Sequence, residues 1–221
     1  MGDETPWVEG LPAGDSEPLR TLGVERRYRA GAVLFHHGDE PGSVLVLLEG
    51  RVKLVVSGPQ AKEVIVGFAG PGELVGEVSA IDGAPRSASA QAVDAVRALV
   101  VPRAAFQRFV ETHPAAAMPL LRSLARRLRL ADAQRLEFAA YDVVGRVARR
   151  LVDLCDRHGE SVDGGVLITL PLSQDELAAW TASSREAVAK ALHLLRELKW
   201  IETHPRRIVV RDLAALREYA G

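Results

Sequence analysis

The spacing of apolar residues changes near Pro102, and the change divides the chain into two kinds of structure. Before it, from Arg29 onward, short runs rich in Val, Leu and Ile are separated by clusters of Gly, Pro and Asp. These runs are Ser43–Leu48, Val52–Val56, Val64–Phe68 and Ala95–Val101. Short apolar runs between turn residues are typical of β-strands, so this part predicts a sandwich or a jelly roll.

The period becomes helical after Pro102. Residues 103–140 are rich in Ala, Leu and Arg, which favour helix, and Pro119 fits the first turn of a long one. The apolar stripe of this helix is narrow, which is typical of a coiled-coil seam and therefore predicts a homodimer. The predicted dimer interface consists of Leu121, Leu124, Leu128, Ala131, Arg135 and Phe138.

A second, mostly helical domain is predicted from Tyr141 to Gly221. An amphipathic helix ends near His158, and Ser173 with Glu176 has the pattern of a capping box at the start of another. The remaining predicted features are a break at Ser183 and Ser184, a helix over Arg185–Lys199, and strands at Val166–Leu170 and Ile208–Val210.

Composition limits the functions that this chain can have. Of 221 residues, 48% are hydrophobic, which is enough for a core and excludes a wholly disordered chain. The formal net charge is −1, so any binding to nucleic acid must depend on a local basic patch. The single cysteine, Cys155, excludes a disulfide framework, a Cys-based zinc site and a four-Cys iron–sulfur cluster, and it suits a cytoplasmic protein. No metal site and no membrane span are predicted.

The stretch from Gly76 to Ala88 carries the candidate chemistry of the β region. Glu77 can only accept hydrogen bonds, which suits sugar hydroxyls, and Arg86 offers a planar cationic fork for phosphate. Val78–Ile81 is predicted to form a helical turn, whose first amide groups favour an anion. Together these groups predict a sugar-phosphate pocket, while a plain salt bridge across a turn is the simpler alternative.

This stretch resembles the phosphate-binding cassette of the cyclic-nucleotide-binding domain family. The family pattern is roughly Phe/Ile-Gly-Glu, seven variable residues, then Pro-Arg-Ser/Thr/Ala-Ala, and Gly76 to Ala88 matches it. The resemblance implies that Gly76, Arg86 and Ser87 hold a cyclic phosphate, with Val78 beside them. It also implies that Glu77 binds the ribose 2′-hydroxyl.

The C-terminal domain carries a second motif with the spacing of a helix-turn-helix. Its second helix would present Arg185, Glu186 and Lys190 to base edges in the major groove of DNA. The motif resembles the winged helix-turn-helix of the catabolite activator/FNR superfamily. Ser173 and Ser184 at the two helix starts, and Arg206 and Arg207 of the wing, are the other DNA-binding residues that this resemblance implies. The family turn usually has a glycine where this chain has Ala182, which would be slightly strained there.

The combined resemblance implies an α+β fold with an N-terminal β jelly roll, a long dimerisation helix and a C-terminal winged helix-turn-helix domain. The expected divisions are a flexible tail over 1–20, in which Trp7 docks, a nucleotide-binding domain over 21–113, the dimerisation helix over 114–140 and the DNA-binding domain over 141–221. The implied function is a homodimeric transcription regulator, not an enzyme. Its partners would be double-stranded DNA with two-fold related half-sites, a cyclic nucleotide and RNA polymerase.

The identity of the ligand stays open in the sequence. In cAMP-responsive members of the superfamily, residues on the dimer helix reach the adenine, and here the corresponding residues are Ala131 and Asp132. Ala131 has no polar side chain, whereas Asp132 can accept a hydrogen bond from the amino group of adenine. We therefore expect cAMP as an allosteric ligand, with no other cofactor. The alternatives are cGMP, a cyclic dinucleotide, or a vestigial pocket in a protein that binds DNA constitutively.

Overall fold

The structure is a computed structural model that describes residues 6–12, 14–57, 63–170, 173–204 and 207–221. The chain forms two compact units, Met1–Ala131 and Asp132–Gly221. The predicted α+β fold is confirmed, with a β-sheet domain, a long helix and a helix-turn-helix domain. In the described part of the chain, no helix is both long and apolar enough to cross a membrane.

The first unit is built on two antiparallel sheets of four strands each. Its described elements are α1 (Ser16–Thr21), β1 (Val24–Tyr28), β2 (Val33–Phe35), β3 (Ser43–Glu49), β4 (Val52–Ser57), β5 (Glu63–Ala69), β6 (Leu74–Val75), α2 (Glu77–Asp82), β7 (Ser89–Ala92), β8 (Val96–Pro102), α3 (Arg103–Thr112), a 3₁₀ turn (Pro114–Ala116) and α4 (Ala117–Ala140). The strand orders of the two sheets are β1-β8-β3-β6 and β2-β7-β4-β5. The strands predicted from the apolar runs are present as β3, β4, β5 and β8.

Strand β3 is buried on both of its faces, which explains its unbroken apolar sequence. Leu45 and Leu47 pack into the core between the two sheets. Val44 and Val46 point the other way, because successive side chains alternate along a strand. They pack against a second apolar cluster that the helices of this unit complete.

The segment around Trp7 packs on the β domain, which gives the docking place of Trp7 that the tail prediction left open. Trp7 is 2% exposed and lies in the cluster with Phe106 and Phe109, at ring-centre distances of 6.1 and 6.5 Å. Its indole N–H donates to the carbonyl of Ala116 at 3.4 Å. The many prolines and acidic residues predicted a mobile segment, but burial of one large aromatic ring outweighs them.

Helix α4 begins two residues before Pro119, so this proline lies in the first turn as predicted. The predicted apolar stripe does not form one free face. Leu121 and Leu128 are 58% and 60% exposed, whereas Leu124 packs against the core of its own unit. Leu124 therefore helps to pack α4 on the β domain, and its predicted place in the dimer interface stays a prediction.

The described part of the second unit adds four helices and a small antiparallel sheet of four strands. Its elements are α5 (Val143–His158), β9 (Gly159–Val162), β10 (Gly165–Ile168), α6 (Gln174–Trp180), α7 (Arg185–Glu197), β11 (Ile201–His204), β12 (Arg207–Val210) and α8 (Leu213–Ala220). The strand order of the sheet is β11-β12-β10-β9. The Asp142 carboxylate caps α5 by accepting from the Gly145 N–H at 2.8 Å.

A buried ion pair joins the last turns of α4 to α5 within this unit. Arg150 bonds to Glu137, and the side chains of the two residues are 7% and 6% exposed. The same guanidinium lies 5.3 Å from the ring centre of Trp180 in α6. Cys155 is also buried, and burial raises the pKa of its thiol to about 11.

The packing of Trp7 gives a direct stability prediction. Trp7→Ala should lower the free energy of unfolding of the β domain by about 3–5 kcal/mol, because it leaves a large cavity among Phe106 and Phe109. Denaturant unfolding followed by circular dichroism measures this change. Trp7→Phe is the matched control and should cost much less, since it keeps an aromatic ring in place. An unchanged unfolding transition in Trp7→Ala would show that the segment is detached from the β domain in solution.

Candidate functional site

The turn before α2 is shaped by the side chain of Arg86. Gly76 occupies the N-cap position of α2 with φ of +86°, in the left-handed region that favours glycine. A Cβ atom at this position would lie 2.3 Å from Arg86 Nη1, so a larger residue would collide with the guanidinium. Both constraints require glycine, and together they bring the start of α2 against Arg86.

Arg86 itself is 3% exposed and is held from several directions. Its backbone N–H donates to the carbonyl of Asp39, and its own carbonyl accepts from the N–H of Gly38, both at 2.9 Å. The guanidinium carbon lies 4.3 Å from the ring centre of Phe35, in a cation–π contact. Burial lowers the pKa of Arg86, while the negative charges of Glu77 and Asp39 oppose that shift.

Glu77 is buried at the start of α2 and forms an ion pair that the sequence did not reveal. Arg127 of α4 donates from Nη1 to Glu77 Oε1 at 2.6 Å and from Nη2 to the carbonyl of Leu74 at 2.5 Å. Glu77 is 2% exposed, and burial raises its pKa although Arg127 acts in the opposite direction. The other carboxylate oxygen, Oε2, is buried and has no hydrogen-bond partner among the described residues.

A small cavity of about 40 Å³ brings most of the predicted ligand residues together. Five of the seven ligand residues predicted from the cassette and the dimer helix line this cavity. Arg127 also lines it, although the sequence gave no reason to select this residue. Ala131 is not among the described lining residues, and Asp132 is exposed and pairs with Arg135 at 3.0 Å. The lining is Phe35, Leu54, Gly76, Glu77, Val78, Ser79, Arg86, Ser87, Ala88 and Arg127.

The helix-turn-helix has the capping that the sequence predicted. The Ser173 hydroxyl accepts from the Glu176 N–H, and the Glu176 carboxylate accepts from the Ser173 N–H, which completes a capping box. The Ser184 hydroxyl likewise accepts from the Ala187 N–H at 3.2 Å. Both predicted serines therefore fix the start of a helix, and Ser184 sets the orientation of α7.

Three predicted base-reading residues lie on one exposed part of α7. Arg185, Glu186 and Lys190 are all exposed, and Arg185 forms a loose ion pair with Asp175 at 3.6 Å. The pKa of Glu186 is lowered, because backbone N–H groups at the helix start and the Ser184 hydroxyl stabilise its charged form. In the wing, Arg207 is exposed at the start of β12, while Arg206 lies outside the described residues.

The turn between α6 and α7 contains a strained alanine and is held by Arg146, a half-buried residue of α5. Ala182 has φ of +48°, in the left-handed region, as the missing glycine predicted. Arg146 of α5 donates from Nε to the carbonyl of Thr181 at 3.0 Å and from Nη2 to the Ser183 hydroxyl at 3.1 Å. The sequence did not reveal this role of Arg146, because Thr181 and Ser183 lie 35 and 37 positions away along the chain.

Two family models match separate parts of the chain. Residues 25–113 match the cyclic nucleotide-binding domain, and residues 145–219 match the Crp-like helix-turn-helix domain. The two matches coincide with the two sites described above.

Full-length relatives cover nearly the whole chain. It is 32% identical over 190 residues to the CRP-like cAMP-activated global transcriptional regulator of Mycobacterium tuberculosis, covering 86% of this chain and 85% of the relative. It is 31% identical over 216 residues to the cyclic AMP receptor protein of Thermus thermophilus, covering 98% and 97%.

Solved structures show the same fold. The c-di-GMP responsive global regulator of Xanthomonas campestris superposes with a TM-score of 0.83 at 24% identity, covering 90% of this chain and 99% of the other. The Thermus thermophilus catabolite activator protein gives a TM-score of 0.55 at 32% identity, covering 97% and 98%.

The fold and the two sites define a DNA-binding transcription regulator with a cyclic-nucleotide-binding domain. The chain belongs to the CRP/FNR family. Members of this family are transcription regulators and not enzymes, which agrees with the sequence prediction.

The strained turn gives a prediction with a definite sign. Ala182→Gly should raise the free energy of unfolding of the C-terminal domain by up to about 1 kcal/mol, because glycine adopts a positive φ without steric cost. Ala179→Gly in the interior of α6 is the matched control and should lower it by about 1 kcal/mol. Thermal unfolding of both variants measures the difference. Equal destabilisation by the two substitutions would show that Ala182 is not strained.

Proposed function

We propose that this protein is a homodimer whose binding to two-fold related DNA half-sites is controlled by a cyclic nucleotide, with cAMP as the first choice. The observation that carries the proposal is a pair of buried, unpartnered polar atoms in residues that line one cavity. Glu77 Oε2 is an acceptor and Arg86 Nε is a donor, and neither has a hydrogen-bond partner among the residues that the structure describes. Buried polar atoms of this kind favour a bound partner, because a buried donor or acceptor without a hydrogen bond costs free energy.

The chemistry of the cavity supports a sugar phosphate as that partner. The carboxylate oxygen of Glu77 suits a ribose hydroxyl, and the guanidinium of Arg86 suits a cyclic phosphate. The first amide groups of α2 follow Gly76 and add a favourable environment for negative charge. Phe35 and Leu54 give the cavity an apolar part for the remainder of the ligand.

cAMP is preferred because the names of two relatives that match nearly full-length specify cAMP. Ala131 favours the second candidate, a pocket that takes another cyclic nucleotide or none, because it offers no side-chain hydrogen bond to adenine. In the first case cAMP shifts the population of the dimer toward a form that binds DNA tightly. In the second case, cAMP leaves the affinity for DNA unchanged.

Substitution of Arg86 tests the nucleotide site. Arg86→Ala should weaken cAMP binding by about 100-fold or more, because it removes charge-assisted hydrogen bonds worth about 1.5–3 kcal/mol each. Isothermal titration calorimetry measures the affinity, and circular dichroism verifies that the variant is folded. Arg97→Ala is the matched control, since Arg97 pairs with Glu25 and Glu49 on the surface. Normal cAMP binding by folded Arg86→Ala would place the ligand elsewhere.

The exposed leucines of α4 support the homodimer. Met118, Leu121 and Leu128 are 55%, 58% and 60% exposed on one helix, an apolar row that a second copy of the helix would cover.

Leu128→Glu should therefore convert the dimer to monomers, because pairing would bury two carboxylates against each other. Sedimentation velocity measures the change in mass. Leu194→Glu is the control, since Leu194 is 42% exposed on α7. A dimer that survives Leu128→Glu would require a different interface.

The exposed start of α7 supports base recognition by Arg185. Arg185→Ala should reduce discrimination between a selected DNA site and a site with the contacted base replaced by about 1–3 kcal/mol, without changing cAMP affinity. Fluorescence anisotropy at fixed salt measures both DNA affinities. Arg196→Ala, near the other end of α7, is the control and should keep full discrimination. Unchanged discrimination in Arg185→Ala would remove Arg185 as a base-reading residue.

A further inference from the structure

The hydrogen bonds of Arg86 leave one edge of its guanidinium available. A guanidinium has five N–H donors, two on each terminal nitrogen and one on Nε. Nη1 donates to the carbonyl of Gly76 at 2.7 Å and to the Ser79 hydroxyl at 2.8 Å, so both of its hydrogens have acceptors. Nη2 donates to the carbonyl of Ser43 at 2.5 Å, and Nε has no acceptor among the described residues. The remaining donors are thus Nε–H and one N–H of Nη2.

Ser79 is the only side chain among the described residues that accepts a hydrogen bond from Arg86. It is 3% exposed, and its hydroxyl donates in turn to the Gly76 carbonyl at 3.3 Å. Ser79, Gly76 and Nη1 therefore form a closed triangle of polar atoms at the start of α2. The family cassette that the sequence matches leaves this position variable, so the pattern gave no reason to select Ser79.

We propose that Ser79 is a positioning residue of the nucleotide site: it holds Nη1 and so presents the Nε–Nη2 edge of Arg86 to the phosphate. This inference rests on the proposed function, because it needs a phosphate ligand at Arg86. Nε and one hydrogen of Nη2 point in the same direction from the planar group, which matches two oxygens of one phosphate. Without the Ser79 hydroxyl, only the carbonyls of Gly76 and Ser43 restrain the guanidinium, so rotation about the Nε–Cζ bond becomes faster and the phosphate contact is less well fixed.

Two substitutions separate this role from a structural one. Ser79→Ala removes the hydroxyl that holds Nη1. Ser89→Ala is the matched control, because the Ser89 hydroxyl also accepts one hydrogen bond, from the His37 N–H at 2.9 Å, and does not line the cavity. Both variants lose one hydroxyl from the same domain, so a general loss of packing would affect them alike.

The first readout is the preference between the two phosphorothioate diastereomers of cAMP, in which sulfur replaces one or the other exocyclic oxygen. A fixed Nε–Nη2 edge distinguishes the two oxygens, so the wild type should prefer one diastereomer. Ser79→Ala should weaken cAMP binding by about tenfold, the value of one hydrogen bond to a charged group, and bring the two diastereomer affinities closer together. Ser89→Ala should keep the wild-type preference.

The second readout needs no ligand. In protein labelled with ¹⁵N-arginine, nuclear magnetic resonance should give slow rotation about Nε–Cζ for Arg86 in the wild type and faster rotation in Ser79→Ala. An unchanged diastereomer preference, or equal rotation rates in the two proteins, would overturn the role of Ser79. If the wild type bound no cyclic nucleotide, the proposed function would fail, and the rotation rates alone would still decide whether Ser79 holds Arg86.

Discussion

The buried charge of Arg86 constrains the ligand site more than any other group in the β domain. The free energy lost when a guanidinium is moved out of water is much larger than the free energy gained from one hydrogen bond. The surrounding chain must therefore supply several acceptors. Here these are the carbonyls of Ser43 and Gly76 and the hydroxyl of Ser79. Because they belong to the start of β3 and the start of α2, the same group that suits a phosphate also fixes the two segments around it.

Helix α4 carries ion pairs near its middle, within the first compact unit, and near its C-terminal end, within the second. Arg126 and Arg127 bond to Glu73 and Glu77, both at 2.6 Å, near the ligand site. Glu137 bonds to Arg150 in the C-terminal unit. In the proposed function, a ligand hydroxyl binds Oε2 of Glu77 while Arg127 of α4 binds Oε1, so the ligand and α4 share one carboxylate. Coupling between two sites requires such an element that both sites can bias.

Local patterns predicted most of the secondary structure, because they depend on neighbouring residues. Alternation and turn residues located β3, β4, β5 and β8, and the pairing of Ser173 with Glu176 located the start of α6. The missing glycine at Ala182 predicted a strained turn, since one residue decides that backbone conformation.

Contacts between distant residues were beyond such patterns. Arg127 meets Glu77 across 50 positions, and nothing near either residue specifies the other. The docking site of Trp7 was undefined for the same reason, because its partners Phe106, Phe109 and Ala116 are set by the fold. Leu124 belongs to the predicted apolar stripe and packs against the core of its own unit. The helical period identifies an apolar face of a helix, but it does not specify what covers that face.

Selection of DNA from a random pool tests directly whether a cyclic nucleotide controls DNA binding. Purified wild-type protein would be incubated with random double-stranded DNA at fixed salt, with and without saturating cAMP. We expect enrichment of a two-fold symmetric sequence with half-sites one helical turn apart, about 10 base pairs, and at least about tenfold tighter binding to it with cAMP. Equal enrichment and equal affinity in both conditions would contradict control by cAMP and favour a constitutive DNA-binding protein.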